Sequence, residues 1–208
     1  MIIAVDGPAA SGKGTISRAL AQHFGLPWLD TGLLYRAVGV ATVRGGGDPD
    51  DEAAALAACD FDEALLDDAE LRSEQAGEWA SRVSVHPAVR EALVVRQQRF
   101  ANQPGGAVLD GRDIGTVIAP DADAKLFVTA SAESRAARRH ADEVALDPDA
   151  DYAEILADIE ERDRRDASRS AAPMRQADDA DLLDTTDLTI SAAVQRAIAL
   201  VEARTGRR

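Results

Sequence analysis

The residues of this chain best suited to do chemistry are nine in a row, Gly7-Pro8-Ala9-Ala10-Ser11-Gly12-Lys13-Gly14-Thr15. Glycines at 7, 12 and 14 let the backbone turn tightly and point its N–H groups inward, as wrapping an anion requires. The apolar run Ile2-Ile3-Ala4-Val5 leads into the loop, and Ile16, Ala19, Leu20 and Phe24 follow it at helical spacing. Strand, glycine-rich turn and a helix opened by a lysine form a P-loop. In that arrangement amides and the helix N-terminus hold phosphates, and Lys13 reaches the β- and γ-phosphates. The bland alternative, a glycine-rich connection between strand and helix, is disfavoured by the lysine and by both flanks. The loop therefore predicts a bound nucleoside triphosphate.

A second group is made of guanidiniums. Arg162, Arg165, Asp166 and Arg169 fall at i, i+3, i+4 and i+7, one face of a helix if the helix continues that far. Three guanidiniums around one carboxylate would hold phosphate oxygens while the carboxylate takes ribose hydroxyls. With Glu160, Glu161 and Asp163 alongside, spacing alone reads more readily as a solvated, ion-paired face. Arg135, Arg138 and Arg139 repeat the one-face spacing and leave the same two readings open. Of the 23 basic residues only Lys13 and Lys125 are lysines, and the planar arginine fork is the better grip for phosphate.

The elements that must position these groups alternate. Apolar runs read as strands at Ile2–Val5, Pro27–Leu29, Ala107–Leu109, Lys125–Thr129 and Asp181–Leu183. Helical patterns cover Lys13–Phe24, Gly32–Val43, Ser73–Arg82, Pro87–Ala101, Ser131–Asp142, Tyr152–Arg165 and Ile190–Arg204. Such alternation predicts an α/β fold, a parallel five-stranded sheet with helices on both faces, ligands sitting at the carboxyl ends of the strands. Asp6, Asp30, Asp110 and Asp184 each stand just after a strand, on that rim. Gly45–Glu70 and Asp142–Asp151 read as acidic insertions serving as hinges or flaps. At 208 residues one domain is expected, with a core built on aliphatics because aromatics make up only 4%.

Net charge of −14 argues against a nucleic-acid binder, no run is long enough for a membrane span, and no signal peptide is visible. The single cysteine, Cys59, reads as a small hydrophobe, and cytoplasm is the expected compartment. His23, His86 and His140 lack metal-ligand spacing, and Trp28 and Trp79 read as packing residues.

Taken in order, GPAASGKGT, LDTGLLYR, ASRVSVHPAVRE, DGRDIGT and ERDRRDASRSAAP make the whole chain resemble the bacterial cytidylate (CMP) kinase family of P-loop nucleoside monophosphate kinases. The resemblance implies a core of about 1–35, 102–134 and 172–208, an NMP-binding insertion of about 36–101 and a lid of about 135–171. It implies transfer of the γ-phosphoryl group of ATP to CMP, with dCMP a second acceptor, in a monomeric enzyme using Mg²⁺. Gly7 to Thr15 would bind ATP. Arg36 and Arg112 would hold the acceptor phosphate with Arg169. Arg162 and Asp166 would contact the sugar, and Arg139 would reach the transferring phosphate from the lid. Thr31 stands where serine is usual and supplies the same hydroxyl, and Gly111 of DGRDIGT would join the CMP site. Ser81, Arg90 and Asp113 would read the base: the carboxylate accepts from the cytosine amine, while Arg90 and Ser81 donate to the two acceptors of that edge. Uracil reverses that pattern at two edges. By itself Ser81 reads as a helix-surface serine.

Gly14 separates Lys13 from Thr15, so Thr15 contacts phosphate in this reading, and Mg²⁺ rests mostly on ATP oxygens and water, with Thr15 or Asp110 as candidate ligands. Asp60–Arg72 lacks the alternation of a small sheet, leaving the fold of the insertion open. Rival readings are a P-loop kinase for another nucleotide or for shikimate, which leaves DGRDIGT unexplained. A GTPase switch is the other; it would need an Asn-Lys-x-Asp signature that the two lysines do not supply.

Overall fold

The computed structural model describes residues 1–145 and 147–207; Leu146, inside the Asp142–Asp151 stretch, and Arg208 lie outside the described residues. Five parallel strands, β1 (Ile2–Asp6), β2 (Trp28–Asp30), β3 (Ala107–Gly111), β4 (Ala124–Thr129) and β5 (Asp181–Asp184), form one sheet in the order β2-β3-β1-β4-β5. The chain builds one side of β1 first and then crosses to the other. The carboxyl end of β1 is thus the switch point where a doubly wound sheet opens a crevice.

Eight α-helices accompany the strands among the described residues: α1 (Lys13–Phe24), α2 (Thr31–Arg44), α3 (Glu52–Ala57), α4 (Glu74–Val83), α5 (Pro87–Ala101), α6 (Ala132–Val144), α7 (Tyr152–Ser168) and α8 (Ile190–Thr205). Side chains alternate across each strand, so the sheet buries both faces. Ile3, Val5, Val108 and Leu126 pack with Ile16 and Leu20 of α1 and Ala197 and Val201 of α8 on one face. Ala4 and Leu109 pack with Ala101 of α5, Ile114 and Ile118 on the other. The three-layer α/β architecture and the aliphatic core agree with the sequence. No helix among the described residues is long and apolar enough to cross a membrane.

Two expectations need correction. Gly45–Glu70 is not a bare hinge. It contains α3 and a 3-10 turn, Glu63–Asp67, with a second turn at Ala69–Arg72; Ala55 and Leu71 are buried against the α2–α4–α5 cluster. Three of its aspartates are helix or turn caps: Asp51, Asp62 and Asp68 accept N–H bonds from Ala53, Ala64 and Glu70. Asp60–Arg72 carries no strand, as its lack of alternation indicated. Secondly, the four rim aspartates do not follow their strands; they end them, and Asp110 is next to last in β3. Cross-strand register sets Asp30 beside Asp110 and Asp6 beside Gly111, gathering the acidic rim at one edge.

Candidate active site

The loop between β1 and α1 is open on the cleft side and braced from behind. Gly7 (φ 148°) lies so close to the Val128 carbonyl that a Cβ there would overlap it, and Ala10 holds a left-handed φ of 58°. Non-glycine residues enter that region at a cost, and such strain gathers at functional turns. Among the described residues α1 alone starts with neither a side-chain cap nor a proline; its N-cap is Gly12. Its first N–H groups are therefore left for an outside acceptor. Loop carbonyls are taken from the opposite side: Arg135 donates to Ala9 O at 3.3 Å and Thr185 Oγ1 to Ser11 O at 3.0 Å. Thr15 lines the crevice beside Ser11 and Gly12.

Beneath the loop stand Lys13 and the carboxylates. Burial, together with the Arg112 charge, lowers Lys13 from 10.5 to about 8 against the pull of Asp110 and Asp30. Burial raises Asp110 to about 6, opposed by Lys13 and by the indole N–H of Trp28, which donates to Asp110 Oδ2 at 2.8 Å. Trp28, expected only to pack, thus orients a rim carboxylate while Arg18 stacks on its ring. Asp30 caps α2 through Gly32 N–H at 2.9 Å.

Asp6 is the group the sequence did not single out beyond its rim position. Its two carboxylate oxygens accept the N–H groups of Ile114 (2.7 Å) and Gly115 (2.8 Å), the opening of a π-helical turn, Ile114–Ile118. Burial raises Asp6 to about 7. One side chain thereby ties the residue before Gly7 to the segment that carries Arg112 and Asp113. The available signal was the pairing of IAVDG with DGRDIGT, invisible until β1 and β3 lie side by side.

A second pocket, with a cavity volume of about 50 Å³, opens between α2, α4 and the end of β3. Thr31, Ser81, Arg90, Gly111, Arg112, Asp113, Arg162, Asp166 and Arg169, every residue expected around the acceptor nucleotide except Arg36, line it. Arg112 Nε donates to Asp166 Oδ2 at 2.8 Å in a part-buried pair, and Arg90 pairs with Asp113 in a buried one. Although burial disfavours its charge, Arg112, Arg169 and Arg162 together hold Asp166 below the usual carboxylate value. Arg162 keeps Nε buried without a partner, and burial lowers its guanidinium to about 10. Thr31 Oγ1 donates to Asp110 O at 2.8 Å, and a Cβ on Gly111 would come within 2.6 Å of that hydroxyl. Ser84 and Tyr35, not foreseen, complete the wall; Arg169 reaches Ser84 Oγ at 3.4 Å and Arg90 lies over the Tyr35 ring.

A wide cleft joins the two places. It shares Arg162 with the arginine–carboxylate pocket, shares Ala10 and Arg139 with the crevice along the loop, and is lined between them by Arg36. Arg36 donates to the carbonyls of Leu71 and Ser73 at 2.9 and 2.8 Å, and Arg139 pairs with Glu74 and Glu143.

The one-face picture of the last arginines is corrected. Helix α7 ends at Ser168, so Arg169 (ψ 136°) leaves the face, and Arg165 turns to α4. The guanidinium bonded to Asp166 comes from Arg112 on another element. Arg135 is not a surface residue: it is buried, donates to Ala9 O and pairs with Asp163 at 3.1 Å. Arg138 bonds Thr185 Oγ1 at 3.1 Å. Ser81 is buried, not a helix-surface residue. Among the described residues no cluster of three His, Cys, Asp or Glu could hold a metal, and His86 and His140 meet backbone carbonyls.

A phosphate-cradling loop at the switch point of a parallel sheet, facing a separate pocket through one cleft, defines the P-loop kinase class. A solved structure of an uncharacterized protein from Eubacterium ventriosum shares this fold, with a TM-score of 0.58 and 14% identity over 98% of this chain and 99% of that one. A sugar kinase from Janibacter follows at 0.50 and 14%, covering 99% and 96%. The family model described as cytidylate kinase matches residues 3–203. Proteins named cytidylate kinase are 58% identical in Xanthobacter autotrophicus, over 98% of each chain, and 59% identical in Cereibacter sphaeroides, over 97% of this chain and 95% of that one. The chain belongs to the cytidylate kinase family.

Proposed function

We propose that the protein transfers the γ-phosphoryl group of ATP to CMP, and to dCMP, giving ADP and the cytidine or deoxycytidine diphosphate in pyrimidine nucleotide metabolism. One observation carries the reading. Loop crevice, arginine-lined cleft and arginine–carboxylate pocket are contiguous, and half-buried cations stand by them: desolvation lowers Lys13 and Arg162, and Arg162 Nε has no partner. Partly desolvated cations of this kind are completed by an anion, and a line of phosphates supplies one.

In this reading Gly7 to Thr15 hold the ATP phosphates and the pocket holds CMP. An oxygen of the acceptor phosphate attacks the γ-phosphorus as the bond to the bridging oxygen of ADP breaks. The acceptor phosphate is largely ionised near neutral pH, so alignment and charge neutralisation do most of the work. Lys13 neutralises the donor, and Arg36, Arg112 and Arg169 the acceptor. Arg139, at the junction of crevice and cleft, exchanges its pairs with Glu74 and Glu143 for the phosphoryl group in transit. Arg162 and Asp166 hold the sugar. Asp113, Arg90 and Ser81 read the base; Thr31 and Gly111 floor the pocket. Segments 36–101 and 135–171 act as the acceptor-binding insertion and the lid over the 1–35, 102–134 and 172–208 core.

Magnesium comes with ATP and neutralises its phosphates. Thr15 and the Asp110 carboxylate offer the hard oxygen donors it takes, and a metal that keeps ATP oxygens and waters needs no full protein cage. An ADP-release assay with CMP, dCMP, UMP, AMP and shikimate tests the proposal. CMP should give the highest kcat/KM; a higher value for UMP, AMP or shikimate would overturn it.

A further inference from the structure

Arg165 belonged to the arginine face expected around Asp166, yet it leaves that group. From α7 its Nη1 donates to Ser81 Oγ on α4 at 2.8 Å, across 84 residues of sequence. Its other partners are Glu78, at 3.2 Å on α4, and Glu161, at 3.9 Å one turn back on α7. Ser81 is buried but lines the acceptor pocket, and among the described residues its hydroxyl proton has no protein acceptor.

A serine hydroxyl has one proton and two lone pairs, whereas a guanidinium donates only. Arg165 therefore occupies one lone pair, and the Ser81 proton cannot be directed back at it. We propose that Arg165 is a specificity-setting positioning residue, which fixes the polarity of the Ser81 hydroxyl so that its proton points at the acceptor base. The inference rests on the reading that Ser81 contacts that base. Cytosine meets such a proton with its unprotonated N3; O2 accepts in both bases, so the discrimination lies at N3. Uracil carries a proton on N3, so donor would face donor, and a directed buried polar group rejects a mismatched partner strongly. Were residue 165 able to accept, the hydroxyl could turn its proton toward α7 and present a lone pair to uracil.

Two substitutions separate polarity from mere contact. Arg165→Lys keeps a donor-only side chain; Arg165→Gln supplies a carbonyl that can take the Ser81 proton. Steady-state kcat/KM for CMP and UMP should show the CMP preference near wild type in Arg165→Lys and lowered about tenfold in Arg165→Gln. The KM for ATP should stay unchanged in both. Glu78→Gln, which leaves the Ser81 contact in place, should not move the ratio. In Ser81→Ala the preference should fall, and adding Arg165→Gln should lower it no further. Equal losses in the Lys and Gln variants, or no loss in Gln while Ser81→Ala loses preference, would overturn the role of Arg165. An unchanged preference in Ser81→Ala would instead remove Ser81 from the base, and the inference with it.

Discussion

The two ends of the cleft are built from different materials. The loop end is main chain: glycines, a left-handed Ala10 and an uncapped α1, braced from behind by Arg135 and Thr185. The pocket end is side chain: Arg112 on a buried Asp166, and Arg90 on Asp113 in a buried pair, delivered by the end of β3, α5 and α7. Backbone amides are the same in every residue, so a loop of them grips phosphate without regard to the base attached. Guanidinium–carboxylate pairs have direction and charge, so they can tell one base from another. That division implies turnover and selectivity fail separately.

The sharpest break comes at the lysine. Lys13→Ala should lower kcat by 10²–10³-fold or more, on the scale of losing a charge that stabilises transferred phosphate, while the CMP KM changes little. A near-normal kcat in steady-state assays would place the ATP phosphates elsewhere.

Asp6 connects the two ends and offers a pH test. Its folded value lies near 7 and its ordinary value at 3.8, so between those pH values the folded chain binds the extra proton. The stability Asp6 contributes is then fully present below 3.8 and is lost as pH rises through 7, by at most about 4 kcal/mol. Urea unfolding of the ligand-free protein at pH 5 and pH 8, compared with Asp6→Asn, should show the wild type losing more across that interval. Parallel pH dependence in the two would remove Asp6 from the titration.

Asp113→Asn should spare the loop end and lower the CMP preference over UMP by roughly 1–3 kcal/mol, the scale of a mispaired buried polar group. Competition between the two acceptors measures it, and intact selectivity would mean that another group reads the base. The smallest effect is expected at Ala10. Glycine tolerates the left-handed φ, so Ala10→Gly should relieve about 1 kcal/mol of strain, offset in part by a more flexible unfolded chain. A fall in melting temperature larger than a few degrees would show that the methyl packs usefully.

Legibility follows the same division. All five strands and the seven anticipated helices were readable to within a few residues, because short apolar runs and period-3.6 patterns report local burial. The turns inside the acidic insertion were not legible, because Asp51, Asp62 and Asp68 give no periodic signal and act as caps only once α3 and the 3-10 turns form. The roster of pocket residues came from motif resemblance, and the structure does gather them, with Arg36 one step away in the cleft. Their pairings did not come with it. Helical spacing grouped Arg165 with Asp166, yet the helix stops at Ser168 and Arg112 takes that carboxylate.

What the chain declared unaided is whatever depends on neighbours in sequence: a phosphate loop between strand and helix, the alternation that makes a parallel sheet, and an aliphatic core. Only tertiary structure could join Arg112 to Asp166 across 54 residues, Arg90 to Asp113 across 23 and Asp6 to Ile114 across 108. The reason is physical. A loop amide or a helix end acquires its character from adjacent φ/ψ angles, whereas a buried charge is defined by whichever partner and how little water the fold brings to it.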